Sequence, residues 1–347
     1  MANRVTWGGD YPGAVTADLG IDFTSVDGGA AIVGSGRFGN CLRGYSVGYV
    51  TIVSLTLDQQ GTWIIMCAMK SSGAPYIGGG SYDRILSLFD VGTRQCSLVR
   101  NSDRTISFRG AADTDLATST NTLTDNTWYS IQMKVAIGNS GTYEVLVNKV
   151  DTGWIPSASG DTQASGNATA NVIAWGGSLL GEYRYFDDIM VRDGVDATAY
   201  QGKPYNDFAG DVRVDPYPMD GNGTNSDWTG SDADKTDNFD LVSDGDAATY
   251  VAAASSGLID TYTHAPLPVG VIPLMTQLST RALNSDAGGS TIKPYVLSDV
   301  DVFEGAAISP GTTAVIYHEV IDVDPHTDAA WTRAGLNAAK FGIERTA

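Results

Sequence analysis

Apolar and polar residues alternate most regularly between residues 128 and 150. In the first part of this segment every second side chain is apolar, namely Tyr129, Ile131, Met133, Val135 and Ile137. A period of two is the pattern of a half-buried β-strand. After a polar turn at 138–141 the alternation resumes through Tyr143, Val145 and Val147. The segment therefore predicts an antiparallel β-hairpin.

Short runs of the same kind recur along the chain, separated by turn residues. They predict strands at 50–57, 62–70, 84–90, 95–100 and 105–109, and then at 248–251, 271–282, 291–297, 313–323 and 340–346. Long polar loops are predicted at 71–82 and 154–171. A single helix is predicted near 329–337, capped by Thr327 or Asp328. This distribution predicts an all-β protein.

Composition agrees with this interpretation and adds a domain count. The chain has 347 residues, which exceeds the usual size of one domain and predicts two, at residues 1–205 and 206–347. There are 41 Gly residues, and only five of the 40 acidic residues are Glu. Because Asp and Gly favour turns whereas Glu favours helices, the balance indicates strands joined by loops.

The charge and the apolar runs exclude several classes of partner. A net charge of −19 argues against nucleic acid, which is bound by basic surfaces. No run approaches the ~20 apolar residues that span a bilayer, and the N-terminus has no apolar core typical of a secretory signal. Cys41, Cys67 and Cys96 match no zinc motif and are interpreted as reduced thiols.

The carboxylate pattern typical of retaining glycoside hydrolases is missing. Such enzymes place two carboxyl groups about 5 Å apart, which alternate positions of one strand can supply. Each of the five Glu residues lacks an acidic residue two positions away. The histidines, His264, His318 and His326, have no nucleophile motif beside them. We therefore predict no enzymatic activity.

A run of Asp residues is the best candidate for metal binding. Asp232, Asp234, Asp237, Asp240, Asp244 and Asp246 supply hard oxygens of the kind that calcium prefers. The run lacks the glycine and the closing Glu of a helix-loop-helix calcium site. We therefore predict no cofactor, with calcium as the alternative and the metal ligands unknown.

Three separated motifs resemble those of a known group of sandwich proteins. They are 36–42, the hairpin at 128–150, and Tyr185-Phe186-Asp187-Asp188-Ile189-Met190-Val191-Arg192-Asp193. In this order they resemble the laminin-G-like branch of the concanavalin A-like lectins and glucanases. The resemblance implies a concanavalin A-like β-sandwich, or jelly roll, over residues 1–205.

Shorter motifs in the second half resemble a β-domain of tailed-phage virion structural proteins. They are 228–230, 246–251, 287–289, 324–327, 330–332 and 341–343. The resemblance implies a second, smaller β-sandwich with one short C-terminal helix over residues 206–347.

The sandwich resemblance also implies carbohydrate binding. Sugar rings stack on aromatic side chains, while Asp and Asn bind their hydroxyl groups. The aromatic residues of the two predicted loops, Tyr76, Tyr82 and Trp154, are the predicted ligand-binding residues.

Together these features predict a non-enzymatic structural protein of a phage virion. A tail position in the fibre, tip or baseplate is favoured, with host-glycan binding and adhesion. The expected partners are other virion proteins, copies of the same chain and host surface glycans, with no nucleic acid and no membrane insertion. The protein would be made in the host bacterial cytoplasm without a signal peptide and located in the virion. The alternatives are a head-surface decoration or spike protein of the capsid, and a glycan-degrading enzyme or bacterial lectin.

Overall fold

The structure is a computed structural model. It describes residues 5–7, 23, 25–26, 30–34, 36–38, 40–46, 51–73, 83–176, 178–179, 183–194, 199–200, 203–204, 206–233, 237–244, 246 and 248–347. The chain forms two compact units, and the division between them falls between Val214 and Asp215. Each unit is described separately below.

The described part of the first unit consists of short strands and a turn of 3₁₀ helix at Ala111–Asp113. Its strands are β1 (Val5–Trp7), β2 (Ser25–Val26), β3 (Ala30–Val33), β4 (Cys41–Ser46), β5 (Thr51–Gln60), β6 (Thr62–Ser71), β7 (Asp83–Asp90), β8 (Thr93–Arg100), β9 (Ile106–Arg109), β10 (Asp115–Thr118), β11 (Tyr129–Ala136), β12 (Gly141–Val147), β13 (Val150–Gly160), β14 (Ala170–Gly176), β15 (Ser178–Leu179), β16 (Arg184–Asp193), β17 (Ala199–Tyr200) and β18 (Lys203–Pro204).

Most of these strands form two sheets that enclose one core. Among the described residues, sheet A has the order β13-β12-β11-β6-β16-β4-β15, with β1 beside β16 and β3 beside β4. Sheet B has the order β10-β9-β8-β7-β14-β5-β2. Apolar side chains from both sheets pack in a single buried cluster. It includes Trp63 of sheet A and Trp175 of sheet B, both of which are fully buried. Two sheets around one core define a β-sandwich.

The predicted hairpin is present as β11 and β12. Met133 lies opposite Val145, and Ile131 opposite Val147. All four side chains are fully buried, as the alternating pattern requires. The loop predicted at 154–171 begins only at 161, because residues 154–160 belong to the edge strand β13, which pairs with β12 and places Ile155 opposite Val145.

Residues 206–214 cross the face of sheet A that points away from the core. In β6, Ile64, Met66 and Ala68 alternate with the core residues, yet each is at most 1% exposed. The backbone N of Ala209 donates to Met66 Sδ at 3.4 Å, and that of Gly210 donates to Gln132 Oε1 at 3.0 Å. The segment therefore packs with the first unit, although the sequence assigned it to the second.

The second unit consists of eleven described strands and two short helices. They are β19 (Met219–Ser226), β20 (Thr229–Gly230), α1 (Asn238–Ser243), β21 (Val251–Ala252), β22 (Ile259–His264), β23 (Thr276–Ala282), β24 (Ile292–Ser298), β25 (Asp301–Glu304), β26 (Val315–Ile321), β27 (Val323–Asp324), β28 (Ala329–Ala330), α2 (Arg333–Ala338) and β29 (Lys340–Arg345).

A five-stranded sheet forms the centre of this unit. Its order is β19-β22-β29-β24-β25, and β23 pairs separately with β26. Leu278 of β23 and Ile321 of β26 share a buried cluster with Phe341 of the central sheet and with Trp331, which is fully buried. The predicted fold class is confirmed: all-β, with a concanavalin A-like β-sandwich and a smaller second one.

The helices differ from the prediction in position and number. The C-terminal helix begins after Thr332, whose hydroxyl accepts a hydrogen bond from Gly335 N at 2.9 Å, rather than after Thr327 or Asp328. The earlier residues form β28, which pairs with β27. Helix α1 was not predicted. Its Asn238 is buried and donates to Trp228 O at 2.8 Å, a contact that no local pattern indicates.

Within the described residues, neither helix has the length or the apolar character needed to cross a bilayer.

Candidate functional site: an arginine cluster on sheet B

Sheet B presents a row of small polar side chains on the face that points away from the core. Leu98 and Phe108 pack in the core, and Ser97 and Ser107 alternate with them along β8 and β9. Ser87 of β7 lies opposite Ser97 in the same row. These serines are at most 4% exposed, so this outer face is shielded from bulk solvent.

Three arginines surround this row. Arg84 and Arg94 both donate from Nη2 to Asp113 Oδ2, the former at 3.1 Å. Arg109, opposite Ser97 in the pairing of β8 and β9, donates from Nη1 to the backbone oxygen of Asp113 at 3.1 Å. Its Nη2 donates to an oxygen of Asp115 at 2.9 Å. We call Arg84, Arg94, Arg109, Asp113 and Asp115 the arginine cluster.

The arginine cluster gathers three positive charges in a chain whose net charge is −19. Arg84 and Arg94 form ion pairs with Asp113, and Arg109 forms one with Asp115. Burial and the charge of Arg94 lower the pKa of Arg84, against the opposing effect of Asp113. The side chains of Arg84 and Arg94 are 16% and 28% exposed, so an anion from solvent can reach them.

One buried hydroxyl beside the cluster has no hydrogen-bond partner. Ser97 is fully buried, and its Oγ makes no hydrogen bond within the part of the chain that the structure describes. The neighbouring Ser107 Oγ, in contrast, lies 2.7 Å from Thr118 Oγ1 and accepts from Asn101 Nδ2 at 2.8 Å. An unpaired buried polar group of this kind is unfavourable.

A well-anchored loop lies next to the cluster. Gln95 Oε1 accepts hydrogen bonds from Ala164 N at 2.6 Å and Ser165 N at 3.0 Å, and these fix the loop 161–169. Its first residue, Asp161, accepts a hydrogen bond from Ala111 N at 3.0 Å. The loop therefore supports the turn that carries Asp113.

The residues predicted to bind sugar lie elsewhere. Tyr76 and Tyr82 are outside the described residues, so their role stays a prediction. Trp154 is in β13 rather than at the start of a loop, is 9% exposed, and packs edge-on against Tyr129 with the ring centroids 6.4 Å apart. Little of its ring surface is available to a sugar, and its ligand-binding role also stays a prediction.

The Asp-rich run forms turns in the described part of the chain. Both carboxylate oxygens of Asp244 accept from Thr249 Oγ1, and Asp246 Oδ1 accepts from Ala248 N at 2.9 Å. Asp234 is outside the described residues. Among those described, no group of three or more His, Cys, Asp or Glu is placed to hold a metal ion.

The sequence did not predict the arginine cluster, because no local motif joins its members. Arg84, Arg94 and Arg109 come from three successive strands, and only the order β7, β8, β9 brings them to one face. Only part of it left a signal: Arg109 alternates with the core residue Phe108, whereas the pairing of β7 with β8 shifts register beside both Arg84 and Arg94, so alternation alone does not predict their face.

Comparison with known proteins gives partial structural matches at low sequence identity. No protein-family model matches the chain, and no curated protein is similar to it in sequence. A marine PL-14 alginate lyase from Aplysia kurodai superimposes with a TM-score of 0.42 and 11% identity, over 54% of this chain and 97% of that chain. The endo-β-1,4-glucuronan lyase from the fungus Trichoderma reesei gives 0.36 and 9%, over 51% and 90%. Trypanosoma rangeli sialidase gives 0.34 and 13%, over 49% and 29%.

These comparisons correct two predictions. The chain was predicted to be a non-enzymatic structural protein of a phage virion, but the three solved structures above are named as two lyases and a sialidase. They give no support to a tail or capsid position. The motifs used for that prediction describe folds, and a fold alone does not specify a function.

Proposed function

We propose that the first unit is glycan-active and that its arginine cluster binds an acidic polysaccharide, one whose sugars carry carboxylate groups. The observation that supports this most directly is the convergence of Arg84, Arg94 and Arg109 at Asp113 and Asp115, with part of the Arg84 and Arg94 side chains open to solvent. Arginine binds carboxylates through paired hydrogen bonds of fixed geometry. The proposed function agrees with the predicted glycan partner and replaces the virion structural role.

The exposed carboxylate of Asp115 supports the polysaccharide part of the proposal. Asp115 is 49% exposed and can accept a hydrogen bond from a sugar hydroxyl, whereas the serine row beside it is at most 4% exposed. Carbohydrate sites combine such hydroxyl partners with charged residues that fix the orientation of the ligand.

The test is binding of purified full-length protein to polygalacturonate and to neutral dextran of similar length, by isothermal titration calorimetry. We expect binding to the acidic polymer and a loss of about tenfold or more in affinity for Arg94→Ala and Arg84→Gln, because each removes a charged hydrogen-bond donor. Arg104→Ala is the matched control: this arginine pairs with Asp125, outside the cluster, and its loss should leave binding unchanged. Equal affinity for dextran, or full binding by Arg94→Ala, would refute the proposal.

The same mixtures test for cleavage. A bound polyuronate that is cut by elimination acquires a double bond and absorbs ultraviolet light. Growth of that absorbance with wild-type protein, and its loss in Arg94→Ala, would extend the proposed function from binding to degradation.

The finer family assignment and the location are also proposals. The motifs at 36–42 and 185–193 support a place in the laminin-G-like branch. A location in a phage particle is supported only by the motifs of the second half. Co-sedimentation of the protein with purified particles tests it.

A further inference from the structure

Asp113 occupies the place in the arginine cluster where a ligand carboxylate would bind. Its Oδ2 accepts hydrogen bonds from Nη2 of both Arg84 and Arg94. We propose that Asp113 is a displaceable substitute for the carboxylate of the ligand: it pairs with these arginines in the free protein, and the glycan carboxylate replaces it. This inference rests on the proposed function of the cluster and names a residue that sets its affinity.

The backbone that carries Asp113 is in an unfavourable conformation. Ala112 and Asp113 have φ angles of 54° and 59°. The left-handed region costs a residue other than glycine about 1–2 kcal/mol. Such conformations persist where surrounding contacts hold them. Here those contacts are Ala111 N to Asp161 O at 3.0 Å and the bonds from the arginines to Asp113. Release of the carboxylate therefore removes one of the contacts that maintain the strain.

Asp113 is also only partly engaged. Its Oδ1 is buried without a hydrogen bond in the described part of the chain, whereas its side chain is 29% exposed overall. Asp115 differs: Arg109 Nη2 donates to its Oδ2 at 2.9 Å, and Arg109 Nε lies 2.8 Å from its Oδ1. Asp115 thus forms a two-point pair with one arginine. Of the two carboxylates, only that of Asp113 has a buried oxygen without a hydrogen bond among the described residues. Its displacement would free two arginines, Arg84 and Arg94, to bind a ligand.

An internal competitor lowers the apparent affinity of a site. A ligand binds with its intrinsic affinity multiplied by the fraction of molecules in which the site is open. Removing the charge of Asp113 increases that fraction, because a neutral amide oxygen accepts the hydrogen bonds of Arg84 and Arg94 more weakly than the carboxylate does. The variant Asp113→Asn should therefore bind an acidic oligosaccharide more tightly than the wild type, whereas loss of an ordinary contact residue weakens binding.

The experiment compares the affinity of wild type, Asp113→Asn and Asp115→Asn for galacturonic acid oligomers at constant ionic strength. Asp115→Asn is matched in net charge and lies in the same cluster. We expect about tenfold tighter binding for Asp113→Asn, the scale of one charged hydrogen bond, and a clearly smaller change for Asp115→Asn. Thermal unfolding of both variants shows whether they remain folded, and Asp113→Ser provides a second variant without the charge.

The outcomes separate the inference from the proposed function. If wild type binds the oligomers, Arg94→Ala loses binding, and Asp113→Asn binds no more tightly than wild type, the substitute role of Asp113 is wrong and the site remains. Equal gains in Asp113→Asn and Asp115→Asn would overturn it as well, because net charge would then explain both. If neither wild type nor Asp113→Asn binds, the proposed function fails and the inference fails with it.

Discussion

At the residue scale, the second unit holds a histidine between two carboxylates that the sequence did not connect. His326 Nδ1 lies 2.7 Å from Asp301 Oδ2, and its Nε2 lies 3.4 Å from Asp299 Oδ2. The hydrogen bond to Asp301 raises the pKa of His326, opposed by slight burial, and the charges of Asp299, Asp301 and Asp324 raise it further. No local sequence pattern indicates this contact, because 25 residues separate His326 from Asp301.

The raised pKa makes a pH-dependent contribution to stability. A histidine whose folded-state pKa lies above its unfolded value of about 6.5 stabilises the fold fully below that pH, and the contribution is lost as pH rises through the folded pKa. We expect NMR titration to give His326 a pKa above the ordinary value. Asp301→Asn should lower it more than Asp299→Asn, because the hydrogen bond to Asp301 is the main cause. An unshifted His326 in the wild type would contradict the assignment.

The cysteines show that some residue properties were predictable. Cys41, Cys67 and Cys96, which were predicted to be reduced thiols, are buried and form no disulfide among the described residues. Burial raises the pKa of the Cys67 thiol to about 12, so it stays protonated and unreactive near neutral pH.

At the element scale, the Phe-Asp-Asp motif of β16 forms a β-bulge. The pairing with β6 shifts register between Asp187 and Met190, and Asp188 has a φ of 50°. Asp187 Oδ2 accepts from Arg37 N at 2.9 Å, and Asp188 Oδ1 accepts from Val214 N at 2.9 Å. The motif therefore anchors the end of segment 206–214 to sheet A, a structural role that the sequence resemblance did not specify.

Two substitutions at Asp188 separate its hydrogen bond from its charge. Asp188→Ala should lower the free energy of unfolding by about 2–3 kcal/mol, because Val214 N loses a buried acceptor and Ala tolerates a left-handed φ poorly. Asp188→Asn keeps an acceptor oxygen and tolerates that φ, so it should cost clearly less. Urea denaturation followed by tryptophan fluorescence measures both. If both variants lose the same free energy of unfolding, the stabilising contact of Asp188 is its ion pair with Arg37 and not its hydrogen bond with Val214 N.

At the scale of the whole molecule, the domain boundary can be located by truncation. A fragment ending at residue 205 lacks the segment that covers Met66 and Gln132, whereas one ending at 214 retains it. We expect fragment 1–214 to unfold at a clearly higher temperature than fragment 1–205, since the shorter one exposes the apolar outer face of β6. Differential scanning calorimetry of the two fragments decides this. Equal melting temperatures would place the boundary where the sequence put it.

The sequence by itself determined the fold class and the local strand pattern. Alternation along β11 and β12 specified which side chains face the core. A shift of one residue in the pairing register would turn those side chains to the opposite face of the sheet. Such information is local, so it can be read without the partner strands. The same pattern could not predict β13, because an edge strand with few apolar residues is defined by its neighbour.

Only the tertiary structure decided the site. Strand order in sheet B places Arg84, Arg94 and Arg109 on one face, and a left-handed turn places Asp113 between them. Neither strand order nor turn conformation follows from hydrophobic periodicity, because both depend on contacts between residues far apart in the chain. Motifs that indicate a sandwich therefore predicted the fold correctly. They predicted the function, a structural role in a phage virion, wrongly, because the site depends on contacts that the motifs do not contain.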